Sequence, residues 1–243
     1  PDSITALGRG AFSGCNRLKS IVIPDSVTNI GISAFSECKN LESVTLSKGL
    51  EKIGENAFYN CDSLQSIEIP KSLKDVYATY DSIYTPNGVF NECSRLKTIV
   101  FEKGSTIIAD ALFRGCDGLE SIVISDTITQ IYGYAFADCK NLKNINISDS
   151  VTVLGENAFQ NDTSITEINL PDSITALGRG VFSGCDRLKS IVIPDSVTNI
   201  GISAFSECKN LESVTLSKEL EKIGENAFYN CDSLQSIEIP KSL

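Results

Sequence analysis

Nine cysteines recur at one position of a repeating unit: Cys15, Cys38, Cys61, Cys93, Cys116, Cys139, Cys185, Cys208 and Cys231, with Asp162 taking the tenth place. Thiols can hold a metal, pair as disulfides or attack a substrate, and the spacing weighs against all three. A zinc site needs four ligands converging at about 2.3 Å on one point, whereas a column of rungs spreads its thiols along a line at intervals of about 4.8 Å. A disulfide needs Cβ atoms about 3.5–4.5 Å apart with a twisted dihedral, which in-register parallel rungs do not offer. An odd number also cannot pair completely. A nucleophilic cysteine needs a base beside it, and the chain has no histidine. Reduced, buried thiols acting as small core residues are the expectation.

The remaining chemistry-bearing groups are no more specific. Glu42, Glu68, Glu212 and Glu238 could supply a pair of carboxylates for glycoside hydrolysis, but on a strand they form the solvated side. Gly8-Arg9-Gly10 lacks the lysine and the helix of a phosphate cradle. Asp2, Asp25, Asp126 and Asp149 recur without the glycine-aspartate nonapeptides of calcium-binding β-rolls. No enzyme, metal or cofactor is expected. A formal charge of -10 and a pI near 4.6 would repel a phosphate backbone or an anionic bilayer, so nucleic acid is not an expected partner. No apolar run is long enough to cross a membrane.

What positions these residues is a tandem repeat. Shifting the chain by 23 residues superimposes Phe12, Phe35 and Phe58, then Cys15, Cys38 and Cys61, then Leu18, Leu41 and Leu64. A fixed period of this size marks a solenoid, in which each unit buries its apolar side only against its neighbours. The unit reads P-x-S-[IV]-T-x-[IL]-G-x-x-A-F-x-x-C-x-x-L-x-S-[IV]-x-[IL]. Its last residues alternate inward and outward, as in Ser20-Ile21-Val22-Ile23, and predict a short strand per coil that the next proline ends. Equivalent strands fall at Ser43 to Leu46, Ser66 to Ile69, Thr98 to Phe101, Ser121 to Ile124, Asn144 to Ile147, Glu167 to Leu170, Ser190 to Ile193, Ser213 to Leu216 and Ser236 to Ile239. About ten such strands in parallel would form a sheet roughly 45–50 Å long. Val27-Thr28-Asn29-Ile30-Gly31 predicts a second, weaker extended piece on the opposite wall, with glycine at the corner for a positive φ or a tight bend. Ala34 to Cys38 predicts one helical or 3₁₀ turn. Ten of the 11 phenylalanines share one position and should stack as an internal column.

Two features break the rhythm. The unit from Pro70 has 32 residues, and the extra ones fall at 77–88, a loop carrying Tyr77, Tyr80 and Tyr84. Clustered tyrosines on a loop suit recognition, or they fold back over apolar surface. Residues 171–243 repeat 1–73 with three differences, at Val181, Asp186 and Glu219. The whole of 1–243 reads as one domain, a fragment of a longer array. Neither end carries a polar capping coil, so end-to-end self-association is expected unless the ends are covered. The outward strand positions form the candidate binding row: Val22, Thr45, Glu68, Val100, Val123, Asn146, Asn169, Val192, Thr215 and Glu238, beside the mostly serine row Ser20, Ser43, Ser66, Thr98 and Ser121.

The unit at Ile23 to Val44, IP-x-S-VT-x-IG-x-x-AF-x-x-C-x-x-L-x-SV, resembles the BspA-like leucine-rich repeats, also called the Treponema pallidum type. The resemblance covers the chain apart from the insertion. It implies a right-handed coil of about ten units with a parallel sheet on the concave face and short strands or 3₁₀ turns on the other walls. It also implies an extracellular or cell-surface protein of mucosal microbes that adheres to a host matrix or cell-surface protein, with no catalytic residues to carry over. Ser26, Ser173 and Ser196 would lie near the asparagine ladder of typical leucine-rich repeats. The rival expectation is a structural spacer that holds another domain away from a cell surface.

Overall fold

The computed structural model describes residues 3–78 and 87–243. The chain winds as a parallel-strand solenoid, and its coils are numbered here 1 to 10 by their phenylalanines, Phe12 to Phe228. Each coil has three walls: a strand face, a second face of shorter strands, and a wall of tight turns.

The second face is the more continuous ladder. Ala6–Leu7, Asn29–Ile30, Lys52–Gly54 and Asp75–Tyr77 pair in parallel, as do Ile107–Ile108 with Gln130–Ile131 and Val153–Leu154, and Ala176–Leu177 with Asn199–Ile200 and Lys222–Ile223. Registers are uniform, Leu7 opposite Ile30 and Ile30 opposite Ile53, so the apolar residue of each rung meets its equivalent.

The strand face differs from the expected unbroken sheet. Its strands pair only in twos: Ser20–Val22 with Ser43–Thr45, Ser66–Ile69 with Thr98–Phe101, Ser121–Val123 with Asn144–Asn146, and Ser190–Val192 with Ser213–Thr215. The segments 167–170 and 236–239, expected as strands, are not. The second of these has no following rung. The first has around it one backbone bond, Lys189 N–H to Thr166 O at 3.5 Å, at the outer limit of a hydrogen bond.

The turn wall is built of the expected short turns, each closed by a bond three residues back. There is no helix among the described residues. In coil 2 the N–H groups of Ala34, Ser36 and Cys38 bond three residues back, to Gly31, Ser33 and Phe35. The N–H groups between them, of Ser33, Phe35 and Glu37, instead donate to Glu55, Ala57 and Tyr59 of coil 3. Half of the donors thus tie the coil to itself and half to its neighbour, which satisfies the amides of this buried wall. Among the described residues nine of the ten coils have left-handed residues at two places, such as Asn56 and Asn60 (φ 56° and 53°) or Gly180 and Gly184 (φ 55° and 72°). Asparagine and glycine are the residues that adopt it readily.

The core runs between the walls. Rings from Phe12 to Phe228 stack with centroids 5.1–5.8 Å apart, eight of them fully buried. The corner glycines serve close approach rather than positive φ. A Cβ on Gly54 would overlap Ile32 N of the preceding coil, so no side chain fits there.

Candidate functional site

The strand face is built by the period-2 alternation of each strand. Ile21, Val44, Ile67, Ile122, Ile145 and Ile191 point inward, which turns Val22, Thr45, Glu68, Val123, Asn146 and Val192 to solvent. Val22, Val123 and Val192 are 72%, 70% and 63% exposed, high values for valine. Val100, Thr215 and Glu238 continue the row, and Asn169 extends it through the segment that forms no strand.

The interruptions of the ladder open clefts on this face. One, of about 290 Å³, is lined by Thr45, Leu46, Lys48, Glu68, Pro70 and Glu102, and sits where the Ser43–Thr45 and Ser66–Ile69 strands are unpaired. A second cleft of the same volume lies 170 residues on, lined by Thr215, Leu216, Lys218, Glu238 and Pro240. The near-copy therefore carries a duplicate of the cleft. A third opens between Asn169 and Val192.

A charged row that the sequence reading missed borders the face. Lys97 Nζ lies 2.9 Å from Glu120 Oε1, and Lys143 Nζ lies 3.9 Å from Glu120 Oε2. Lys97 holds the Glu120 carboxyl below its ordinary range. Lys19 and Glu42 make the same rung 3.9 Å apart. The signal was in the sequence: residues 19, 42, 97, 120 and 143 share one position and carry both signs of charge.

Of the tyrosines, Tyr80 and Tyr84 lie outside the described residues. Tyr77, expected in the inserted loop, is instead the last residue of strand Asp75–Tyr77. Its half-buried ring sends the hydroxyl to Ile30 O two coils away, at 3.2 Å, so it packs the array rather than projecting from it.

The cysteine column is free of disulfides and is buried from Cys38 to Cys208, with Cys15 exposed and Cys231 half-buried at the ends. The thiols do more than fill space. Cys38 Sγ lies 3.1 Å from Phe12 O, Cys93 Sγ 3.0 Å from Phe58 O, and Cys139 Sγ 3.1 Å from Phe113 O, so the S–H satisfies a carbonyl of the coil before. The polar Asp162 in the same column was the clue to a bonding role. Desolvation pushes these thiols up, Cys231 to about 11 and Cys116 to about 12, which keeps them protonated and unreactive near neutral pH. Among the described residues no cluster of three or more His, Cys, Asp or Glu side chains could hold a metal.

Asp162 is fully buried. Its Oδ1 accepts the Cys139 N–H at 2.8 Å, while Oδ2 has no partner. Burial drives its carboxyl far above the ordinary range. The serines form a ladder of their own on another edge. Ser26 Oγ donates to Ile4 O at 2.8 Å, Ser72 Oγ to Leu50 O at 2.7 Å and Ser196 Oγ to Ile174 O at 2.8 Å, with Ser173 doing the same to Val151 O.

Comparison with known proteins accounts for this geometry. A model of the BspA type leucine rich repeat region matches six copies, over residues 1–87, 82–209 and 175–243. A leucine-rich repeat protein from Bacteroides ovatus is 32% identical, over 98% of this chain and 70% of that one, with a TM-score of 0.66. A leucine rich cell surface protein from Faecalibacterium prausnitzii is 26% identical, over 97% and 83%, with a TM-score of 0.51. The pneumococcal vaccine antigen PcpA, 24% identical over 99% and 65% with a TM-score of 0.60, shares the fold. No curated protein matches the chain. With the family model covering the sequence end to end, the chain belongs to the BspA-type leucine-rich repeat family.

Proposed function

We propose that the chain is a non-catalytic protein-recognition module of a secreted or surface-held protein, which adheres to a host matrix or cell-surface protein through its strand face. The observation that carries this reading is the exposed row from Val22 to Glu238, where valines, amides and threonines stand in solvent beside a pair of duplicate clefts. Apolar side chains held rigidly in solvent favour contact with a partner, and repeat proteins offer such extended surfaces to protein ligands. The cell-surface description of the Faecalibacterium relative supports the location. Glu68 and Glu238, at matching places in the two clefts, would bind a basic side chain of the partner.

The test is a binding screen of the 243-residue chain against matrix proteins and glycans, beside the Glu68→Lys, Glu238→Lys double variant and a form lacking residues 78–86. Saturable binding lost in the charge variant places the contact on the strand face. Binding lost only in the deletion moves it to the insertion with Tyr80 and Tyr84. The spacer reading is favoured by the uninterrupted phenylalanine column, which stiffens the array. It predicts no binding by a folded chain, with adhesion of the intact protein depending on the number of coils alone.

A further inference from the structure

Where it runs over coils 5 to 8, the strand face is bordered by opposite charges. At the corner where each strand ends, these coils carry Asp126, Asp149, Asp172 and Asp195, all exposed. Lys103 and Lys218 stand at the equivalent places of coils 4 and 9, so the acidic run is four coils long. At the border where the strands begin, Arg95 and Lys97 of coil 4, Lys143 of coil 6, and Arg187 and Lys189 of coil 8 are exposed. The acids of that border are taken. Glu120 lies 2.9 Å from Lys97 and 3.9 Å from Lys143, Asp186 lies 3.9 Å from Lys209, and the half-buried Asp117 has Lys140 beside it. Among the described residues Arg95, Arg187 and Lys189 make no ion pair, and neither do Asp149 and Asp172.

Between the borders stand Val123, Asn146, Asn169 and Val192, and Glu167 is the one charge among the outward strand positions of these coils. From Lys143 to Asp149 the chain advances six residues, roughly 20 Å at full extension. An α-helix about 10–12 Å across fits between such borders with its flanking side chains in reach of both. Its pitch also matches. The rings of Phe113, Phe136, Phe159 and Phe182 step by 5.5, 5.5 and 5.7 Å, close to the helical pitch of about 5.4 Å, so each turn of a helix laid along the array stays opposite one coil. An extended segment, repeating about every 6.6 Å, falls out of step. A polyanion would gain from the basic border and be repelled by the acidic one.

We infer that the partner segment bound over coils 5 to 8 is an amphipathic α-helix of another protein, laid along the array, an inference that rests on the strand-face reading proposed above. Basic residues on one flank of the helix meet Asp126, Asp149, Asp172 and Asp195, and acidic residues on the other meet Lys143, Arg187 and Lys189. Its central stripe of small apolar side chains packs on Val123 and Val192.

The test uses the 243-residue chain and a cross-linked helical peptide of about 15 residues, or about four turns. The peptide carries lysines on one flank of an apolar stripe and glutamates on the other. One control of the same composition mixes the charges on both flanks, and a second carries lysine on both. Fluorescence anisotropy should show the two-sided peptide bound at least tenfold more tightly than either control. Reversing one border, by Lys143→Glu with Lys189→Glu or by Asp149→Lys with Asp172→Lys, should abolish that preference with unchanged thermal unfolding. Reversing both should restore it, because the helix can turn end for end. Equal binding of the two-sided and mixed peptides, or binding of neither, would overturn the inference. Tightest binding by the all-lysine peptide would overturn it too, since the formal charge of -10 then suffices. So would tighter binding of heparin than of any peptide, which assigns the face to a polyanion. A matrix protein lost in the Glu68→Lys, Glu238→Lys variant but bound unchanged by both border variants would overturn the helix and leave the strand-face reading standing.

Discussion

The turn wall and the strand face wrap the same core, yet they hold it differently. Eight of the nine junctions between coils carry three backbone bonds on the turn wall, and the aromatic stack crosses all nine. On the strand face four junctions are paired among the described residues. The wall that must stack is nearly invariant from coil to coil, phenylalanine beneath phenylalanine and cysteine beneath cysteine. The face that need not stack varies from valine to threonine to glutamate to asparagine. Stacking and exposure are thus divided between two walls of one coil, so the face proposed for recognition can change with little effect on the fold.

The largest expected effect tests the wall. Phe113→Ala removes a ring that stacks on Phe90 and Phe136 and meets Phe101 edge-on, and should destabilise by about 3–5 kcal/mol. Unchanged chemical denaturation would show that the wall does not carry the fold. Gly54→Ala comes next, because its Cβ forces coils 2 and 3 apart at the backbone. A loss of about 1–3 kcal/mol in the same assay is expected.

Asp162→Asn probes a flaw within the wall. The native carboxyl keeps its proton to higher pH in the folded than in the unfolded chain, because burial raises its folded pKa. Its penalty is absent below the unfolded pKa of about 3.9 and grows as pH rises, by about 1.4 kcal/mol per pH unit, until the folded pKa is reached. The asparagine variant should therefore gain steadily on the parent in urea titrations as pH rises above about 3.9, where an unfolded aspartate titrates. A difference that does not change with pH would mean the carboxyl is ionised in place. Val123→Ser on the strand face closes the series. It should shift stability by less than about 0.5 kcal/mol, and a larger loss would erase the contrast between the two sides.

The repeat, the inward and outward sides of each strand and the phenylalanine column were legible because each depends on residue type at a fixed period. The bonding of the thiols was not, since cysteine is also an ordinary core residue, and only Asp162 hinted otherwise. The two left-handed positions were legible but unread: Gly10 and Gly14, Asn56 and Asn60, Gly180 and Gly184 recur four residues apart. The splitting of the strand face into pairs was not legible. The strand motif around Val44 is the same whether its next neighbour bonds to it or stands off, so residue type alone does not decide the pairing. The candidate row could be placed on its face from alternation alone, but the clefts beside Glu68 and Glu238 arise from that splitting.

The junction between coils 4 and 5 has a mechanical meaning. A rod anchored to a surface and pulled at its tip transmits the same force through every junction in series, and the one with the fewest backbone bonds parts first. Neither ladder crosses between Asp75–Tyr77 and Ile107–Ile108, and among the described residues one backbone bond, Glu92 N–H to Gly115 O at 3.0 Å, spans that seam. Under tension the array would extend there as two blocks and reclose when the load falls, a fuse that yields before either block unravels.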